Sequence, residues 1–252
     1  NRHTRAMHVV VSGAGPCGLL VALQLQRAGI RCTVLERAAE SQLEADVGGG
    51  YDLSPTTADI LKRVGLGHAL GSDGPFRPYK AFSVSATDRN VDSALRLSPL
   101  SDDGGFHASR SVLQRLLLNA LRAGGLATIQ HATEGIEDAA EGCDANASPA
   151  DGAASARLLC GYEVVSFEED GEGVNVEYRP RGQAATAATS VLRADALLGC
   201  DGVHSKVRKC MHAEGDDLRF CGAVTFWGDT ELVAGSALEA AVTSSQAEGD
   251  AF

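Results

Sequence analysis

No stretch of the 252 residues approaches the roughly 18 consecutive apolar residues that a bilayer-crossing helix needs, so no transmembrane segment is expected. The chain also lacks a Cys-x-x-Cys pair. Its seven cysteines (17, 32, 143, 160, 200, 210 and 221) are scattered and odd in number. That pattern argues against a disulfide framework or a zinc site, and for reduced thiols in an intracellular compartment, cytoplasmic or organellar. The seven histidines show no metal-ligand spacing, so no metal is expected. Positive charge is in deficit. Lys and Arg number 22 against 33 Asp and Glu, and the net charge of -11 speaks against nucleic acid or an anionic membrane as a main partner. No Ser-His-Asp or paired-carboxylate arrangement stands out, so no catalytic acid or base is assigned. The N-terminal tail carries Arg2, His3 and Arg5 without an apolar core, so it does not read as a secretory signal. There is no internal repeat.

What is present is concentrated near the start. Val9-Val10-Val11-Ser12-Gly13-Ala14-Gly15-Pro16-Cys17-Gly18 leads into a helical run and then Thr33-Val34-Leu35-Glu36. This reads as strand, glycine turn, helix, strand and acidic residue, the unit that holds the ADP half of FAD or NAD. Gly13 permits a tight turn, Gly15 lets the backbone approach a pyrophosphate, and Gly18 lets the helix pack against the sheet. The helix N-terminus offers N–H groups and a positive dipole end to the phosphates. Glu36, 18 residues past Gly18, would accept from the ribose hydroxyls and favours an unphosphorylated ribose. The glycine spacing alone also fits a βαβ turn that binds nothing. The β-branched run before it, the apolar face of Leu19, Leu20 and Leu23, and the stop at Gly29 favour the dinucleotide reading. Cys17, at the turn, reads as a small helix-packing residue in preference to a redox thiol.

Farther along, a helix is expected at about 56–64, ended by Gly65, and a hairpin over 79–87 and 93–98 around Asp88-Arg89-Asn90. The clearest amphipathic helix covers 111–123, with Leu113, Leu116, Leu117, Ala120 and Leu121 as its stripe and Ser111 and Gln114 as a capping box. Residues 134–157 are too rich in Ala, Gly, Asp and Glu to repay ordering and read as a surface insertion. Strands are expected near 162–168 and 174–178. A polar Ala/Thr stretch at 182–190 precedes a buried strand over 194–199.

Two further stretches align with the first. Arg110-Ser111-Val112-Leu113-Gln114-Arg115-Leu116-Leu117 resembles the helix start of FAD-dependent aromatic-ring monooxygenases, the family that includes p-hydroxybenzoate and salicylate hydroxylases. Gly199-Cys200-Asp201-Gly202-Val203-His204-Ser205-Lys206-Val207-Arg208 resembles the same family's Gly-Ala-Asp-Gly-x-x-Ser-x-x-Arg signature, with Cys200 in place of Ala. Gly48 to Leu66 is similar to its Gly-rich segment and the following helix end, with Thr56-Thr57 where Asn-Ala is usual. The resemblance covers about 7–229.

The resemblance implies FAD as the held dinucleotide and NADH or NADPH as co-substrate, with O2 and a small organic molecule as the other reactants. It implies that Gly13, Gly15 and Gly18 approach the pyrophosphate, Glu36 takes the ribose and Arg37 lies near the adenosine. Arg110 would pair with the pyrophosphate, and Asp201 would sit where pyrophosphate and nicotinamide meet. Arg37 also fits a plain surface charge, and Ser205 and Arg208 fit a simple helix cap. The implied fold is α/β. A Rossmann-like, doubly wound FAD-binding domain takes 1–70 and 106–220, and a partial β-rich substrate domain takes 71–105 and 221–252.

The family's later Gly-Asp-Ala-x-His segment, which holds the flavin ring, is not in this sequence. The chain is therefore expected to correspond to the N-terminal half to two-thirds of such an enzyme. A flavin-dependent dehydrogenase or reductase of related fold, and a non-catalytic nucleotide-binding fragment, stay open as alternatives.

Overall fold

The structure is a computed structural model that describes residues 7–45, 49–70, 74–78, 81–86, 95–101, 105–126, 129–131, 156–184, 188–212, 218–220, 222, 233–236 and 239. The chain packs as two compact units, Asn1–Asp46 with Leu113–Cys221, and Val47–Val112 with Gly222–Phe252.

The first unit begins with β1 (His8–Ser12), α1 (Pro16–Arg27), β2 (Arg31–Glu36) and the short α2 (Glu40–Leu43). The valine run of β1 suits a strand covered on both faces, and every residue of it is buried. Pro16 opens α1, where its fixed φ and missing N–H cost nothing. Gly29 closes the helix with φ +73, a left-handed conformation that a side chain resists.

The second unit contributes β3 (Gly50–Leu53), α3 (Pro55–Arg63), β4 (Arg77–Pro78), β5 (Ala81–Ala86), β6 (Leu95–Ser101) and β7 (Phe106–Ser109). Strands β3, β7 and β4 form one antiparallel sheet, and β5 and β6 form the expected hairpin. The turn at 88–90 lies outside the described residues. The Ser54 hydroxyl caps α3 by accepting from the Thr57 N–H at 3.3 Å, and Gly65 follows its end at φ +71.

Helix α4 (Arg110–Ala123) starts in the second unit and runs into the first, which continues through β8 (Ile129–His131), β9 (Ala156–Cys160), β10 (Tyr162–Glu169), β11 (Val174–Pro180), β12 (Ser190–Ala194), β13 (Ala196–Gly199) and α5 (Lys206–Met211). The surface insertion expected at 134–157 falls outside the described residues except for Ala156 and Arg157, which open β9. The part of the 182–190 stretch at 185–187 and the basic tail are likewise outside them.

Five parallel strands lie in the order β13-β1-β2-β9-β8. This is the α/β, Rossmann-like sheet the sequence predicts; in place of the second helical layer expected of a doubly wound fold, the described residues put a sheet on one face. Helix α1 packs against one face. The other face is covered by the antiparallel sheet β10-β11-β12. Val10, Leu35 and Leu159 meet Val164, Val174, Val176, Tyr178, Leu192 and Ala194 there in one buried cluster. The alternating pattern of β11, buried at Val174, Val176 and Tyr178, is that of a strand with one face inward.

Two local expectations need correction. The single buried strand over 194–199 is two strands broken at Asp195. One pairs antiparallel with β11, the other parallel with β1, and Leu198 on the latter is exposed. The stripe of α4 centres on Leu117, Leu118 and Leu121, with Gln114 in line, while Leu116 and Ala120 are only half-buried.

Candidate functional site

The turn after β1 is fixed by backbone contacts. Gly13 takes φ +97 and donates its N–H to the Leu35 carbonyl at 2.7 Å. A Cβ on Gly13 would stand 2.6 Å from the Cys200 carbonyl oxygen, and one on Gly18 would overlap the Gly13 carbonyl oxygen. Both positions must be glycine for the chain to pack against itself.

Gly15 is different. Its φ of -66 and ψ of 174 are open to any residue, and a Cβ there would meet no atom within 4 Å among the described residues. Neither conformation nor packing calls for glycine. What the missing side chain leaves is access to the backbone at the start of α1. Gly15 is also the N-cap and offers no side chain to the first-turn N–H groups. Those donors and the positive end of the helix are suited to a diphosphate.

Ala14, fully buried between these glycines, is held at both ends. Its N–H donates to Glu36 Oε2 at 2.6 Å, and its carbonyl accepts from Gln114 Nε2 at 3.1 Å. The other Glu36 oxygen accepts from the Ala38 N–H at 2.7 Å. Each carboxylate oxygen retains acceptor capacity for a hydroxyl. Glu36 closes β2 beside the turn because β1 and β2 run in parallel register, Ser12 opposite Leu35.

The other parallel neighbour of β1, β13, brings the distant signature. Ser12 is opposite Gly199, and the Cys200 N–H donates to the Ser12 carbonyl at 2.8 Å. Asp201 follows directly. Its carboxylate accepts from Ser205 Oγ at 2.6 Å, the Lys206 N–H at 2.7 Å and the Val207 N–H at 3.2 Å. Ser205 in turn accepts from the Arg208 N–H at 3.0 Å, and the Arg208 guanidinium donates to the Val203 carbonyl at 2.8 Å. The helix-cap reading of Ser205 and Arg208 therefore accounts for their contacts.

The structure thus gathers Gly13, Gly15, Gly18, Glu36 and Asp201 around one end of the parallel sheet. Arg37 is exposed, directly after β2. Arg110 belongs to the second unit, where it is the exposed first residue of α4 and its N–H donates to the Gly49 carbonyl at 3.1 Å.

Two residues escaped sequence reasoning. Gln114 is not half of a capping box. It is 4 % exposed and spends its amide on Ala14, while Ser111 pairs with Ser109 through their hydroxyls at 2.9 Å. A glutamine in line with a leucine stripe was the available signal. Cys17 is not a packed helix residue either. It is exposed, and its sulfur lies 3.9 Å from that of Cys200.

The opposite end of β1 is closed. His8 is buried, its Nδ1 donating to the Arg193 carbonyl at 3.2 Å. A carbonyl only accepts, so the neutral ring must take the Thr33 hydroxyl proton at Nε2, 2.9 Å away. Burial, and next the Arg31 cation, lower its pKa from 6.5 to about 4.

The family described as FAD binding domain matches residues 6–162 and 147–220. A flavin-dependent monooxygenase of Mycobacteroides abscessus is 30% identical over 214 residues, covering 81% of this chain and 37% of the relative. The 3-amino-4-hydroxybenzoate 2-monooxygenase PtmB3 of Streptomyces platensis is 29% identical over 221 residues, covering 85% of this chain and 43% of its own length. The chain thus spans less than half the length of these relatives. Among solved structures, the anhydrotetracycline hydroxylase OxyS of Streptomyces rimosus superposes with a TM-score of 0.53 at 24% identity, over 82% of this chain and 34% of that one. At that identity the likeness is one of fold.

Proposed function

The chain belongs to the FAD binding domain family, and on that footing we propose that it holds the FAD of a flavin-dependent monooxygenase. NADH or NADPH would be the reductant, and O2 and a small organic molecule the other substrates. The observation that carries this reading is Gly15, a glycine that packing among the described residues does not require, at a start of α1 that no side chain caps.

The residues present fit FAD. The first-turn N–H groups of α1 would receive the diphosphate, with Gly15 giving it access to the backbone. Glu36, held in place by the Ala14 and Ala38 amides, would accept from the ribose hydroxyls. Gln114, by gripping the Ala14 carbonyl, would keep the turn in one conformation. Arg37 would lie near the adenosine, and Arg110 would supply a cation to the diphosphate. Asp201, held by the Ser205 hydroxyl and the first N–H groups of α5, would lie beside the turn where pyrophosphate and nicotinamide meet. When bound, FAD supplies the electron transfer and oxygen chemistry that no side chain can. The protein's part is to bind, orient and exclude water.

Binding comes before turnover in the test, because the chain spans 37% and 43% of the two relatives described above. Titrating the purified protein with FAD should give saturable quenching of flavin fluorescence at one flavin per chain. A folded protein that leaves the fluorescence unchanged would overturn the proposal. If FAD binds, oxygen uptake on adding NAD(P)H with hydroxylated benzoates tests the reaction. Incorporation of an oxygen atom into the product separates a monooxygenase from a dehydrogenase or reductase.

A further inference from the structure

We propose that Cys17 and Cys200 are a redox-responsive thiol pair, which hydrogen peroxide oxidises to a disulfide bridging the two sides of the glycine turn. The regulatory part of this inference rests on reading that turn as the diphosphate site.

The two thiols are brought together by the fold, since 183 residues separate them in sequence. Cys200 is fixed to β1 through the Ser12 carbonyl. The backbones approach closely here, because a Cβ on Gly18, next to Cys17, would lie 3.3 Å from the Cys200 Cβ. The sulfurs are already 3.9 Å apart and would have to close to a bond of about 2.05 Å.

Access suits the order of events. Cys17 is exposed and Cys200 half-buried. The other described cysteines are placed differently. Cys32 and Cys160 are buried, and burial pushes each thiol up to about 12. The Cys210 sulfur points to the Val165 carbonyl.

In the first step the Cys17 thiolate attacks one peroxide oxygen. An S–O bond forms and the O–O bond breaks, and the departing hydroxide takes up the proton that the Cys17 thiol released, becoming water. Cys17 is then a sulfenic acid. In the second step the Cys200 sulfur attacks the Cys17 sulfur. The S–S bond forms, the S–O bond breaks, and the leaving hydroxide carries off the Cys200 proton as a second water. Two thiols have lost two electrons, and one peroxide has become two waters. Burial, and then the neighbouring Cys17, push the Cys200 thiol up to about 12, so it still holds that proton at neutral pH.

The consequence follows from where the bond forms. The Cys17 N–H lies in the first turn of α1, among the donors suited to a diphosphate, and the disulfide would tie that turn to the segment after β13. The same residue cannot serve both without cost. Oxidation therefore weakens FAD binding and, by linkage, bound FAD slows oxidation of the pair.

The test is to treat the reduced, purified protein with hydrogen peroxide, alkylate the remaining thiols and map the peptides without reduction. The expected result is a Cys17–Cys200 cross-link, reversed by dithiothreitol and missing in both Cys17→Ser and Cys200→Ala. FAD should bind the oxidised form about ten-fold more weakly than the reduced form. Alkylation of both residues after peroxide, or pairing with other cysteines instead, overturns the thiol pair. Equal FAD affinity of the two forms overturns its regulatory role. If the cross-link forms but the reduced protein binds no FAD, the pair stands and the diphosphate reading falls.

Discussion

At the N-terminal edge of the parallel sheet, His8 is buried with both ring nitrogens engaged, and its backbone N–H donates to Asp195 at 2.6 Å. At the other end of the same strand, five residues on, the chain turns through Gly13 and reaches a glycine with open space where its side chain would be. One end spends its polar groups on the protein itself. The other fixes Ala14 at both its N–H and its carbonyl, yet leaves the start of α1 uncapped. The contrast fits the general rule that open α/β sheets bind ligands at the carboxyl ends of their strands. It also shows that a site need not be loose to be available.

Breaking the contrast most severely should be Gly18→Ala. The added methyl overlaps the Gly13 carbonyl, a backbone atom that cannot swing aside, and the expected loss is about 3 kcal/mol of stability, read as a lower urea midpoint. A midpoint within error of the parent would show that the turn is more compliant than its geometry indicates.

Acid should attack the closed end next. The pKa of His8 is lower in the folded protein than in the unfolded chain, so the unfolded state takes up the proton first. The stability is complete above 6.5 and is lost as the pH falls toward about 4, by about 3 kcal/mol at most. Between about pH 7.5 and about pH 4.5 the urea midpoint should fall further for the parent than for His8→Gln. Parallel losses would remove His8 as the cause.

Gly15→Ser sharpens the comparison most cleanly, although its effect on the fold is the smallest. Serine is a good N-cap, so stability should hold or rise by about 0.5 kcal/mol. FAD affinity should nonetheless fall about ten-fold, roughly 1.4 kcal/mol, as the side chain occupies the open space. A variant that binds FAD as the parent does would mean that the space serves no ligand.

The parts of this architecture that could be read from the sequence are those whose signals are local. The valine strand, the glycine turn, α1 and β2 lie within 29 residues, His8 to Glu36, and each announces itself by period, cap or stop. The hairpin of β5 and β6 and the span of α4 were legible for the same reason. Gln114 was misread because a glutamine three residues after a serine satisfies the capping pattern whether or not it caps anything. Its real partner is 100 residues away. The break at Asp195 was invisible because 194–199 is apolar on either side of it. Only the competing partners, β11 for one half and β1 for the other, divide it. Composition likewise gave no sign that an antiparallel sheet, rather than helices, covers the second face of the parallel one.

The double hold on Ala14 has a consequence for the order in which the molecule is assembled. Its amide can meet Glu36 once the intervening strand, turn and helix have formed, but its carbonyl waits for Gln114, and the glycine beside it waits for the strand that ends at Gly199. The turn is thus begun by a local contact and completed by distant ones. Such distant closures are slow to form, so the turn takes its final shape only once they are made.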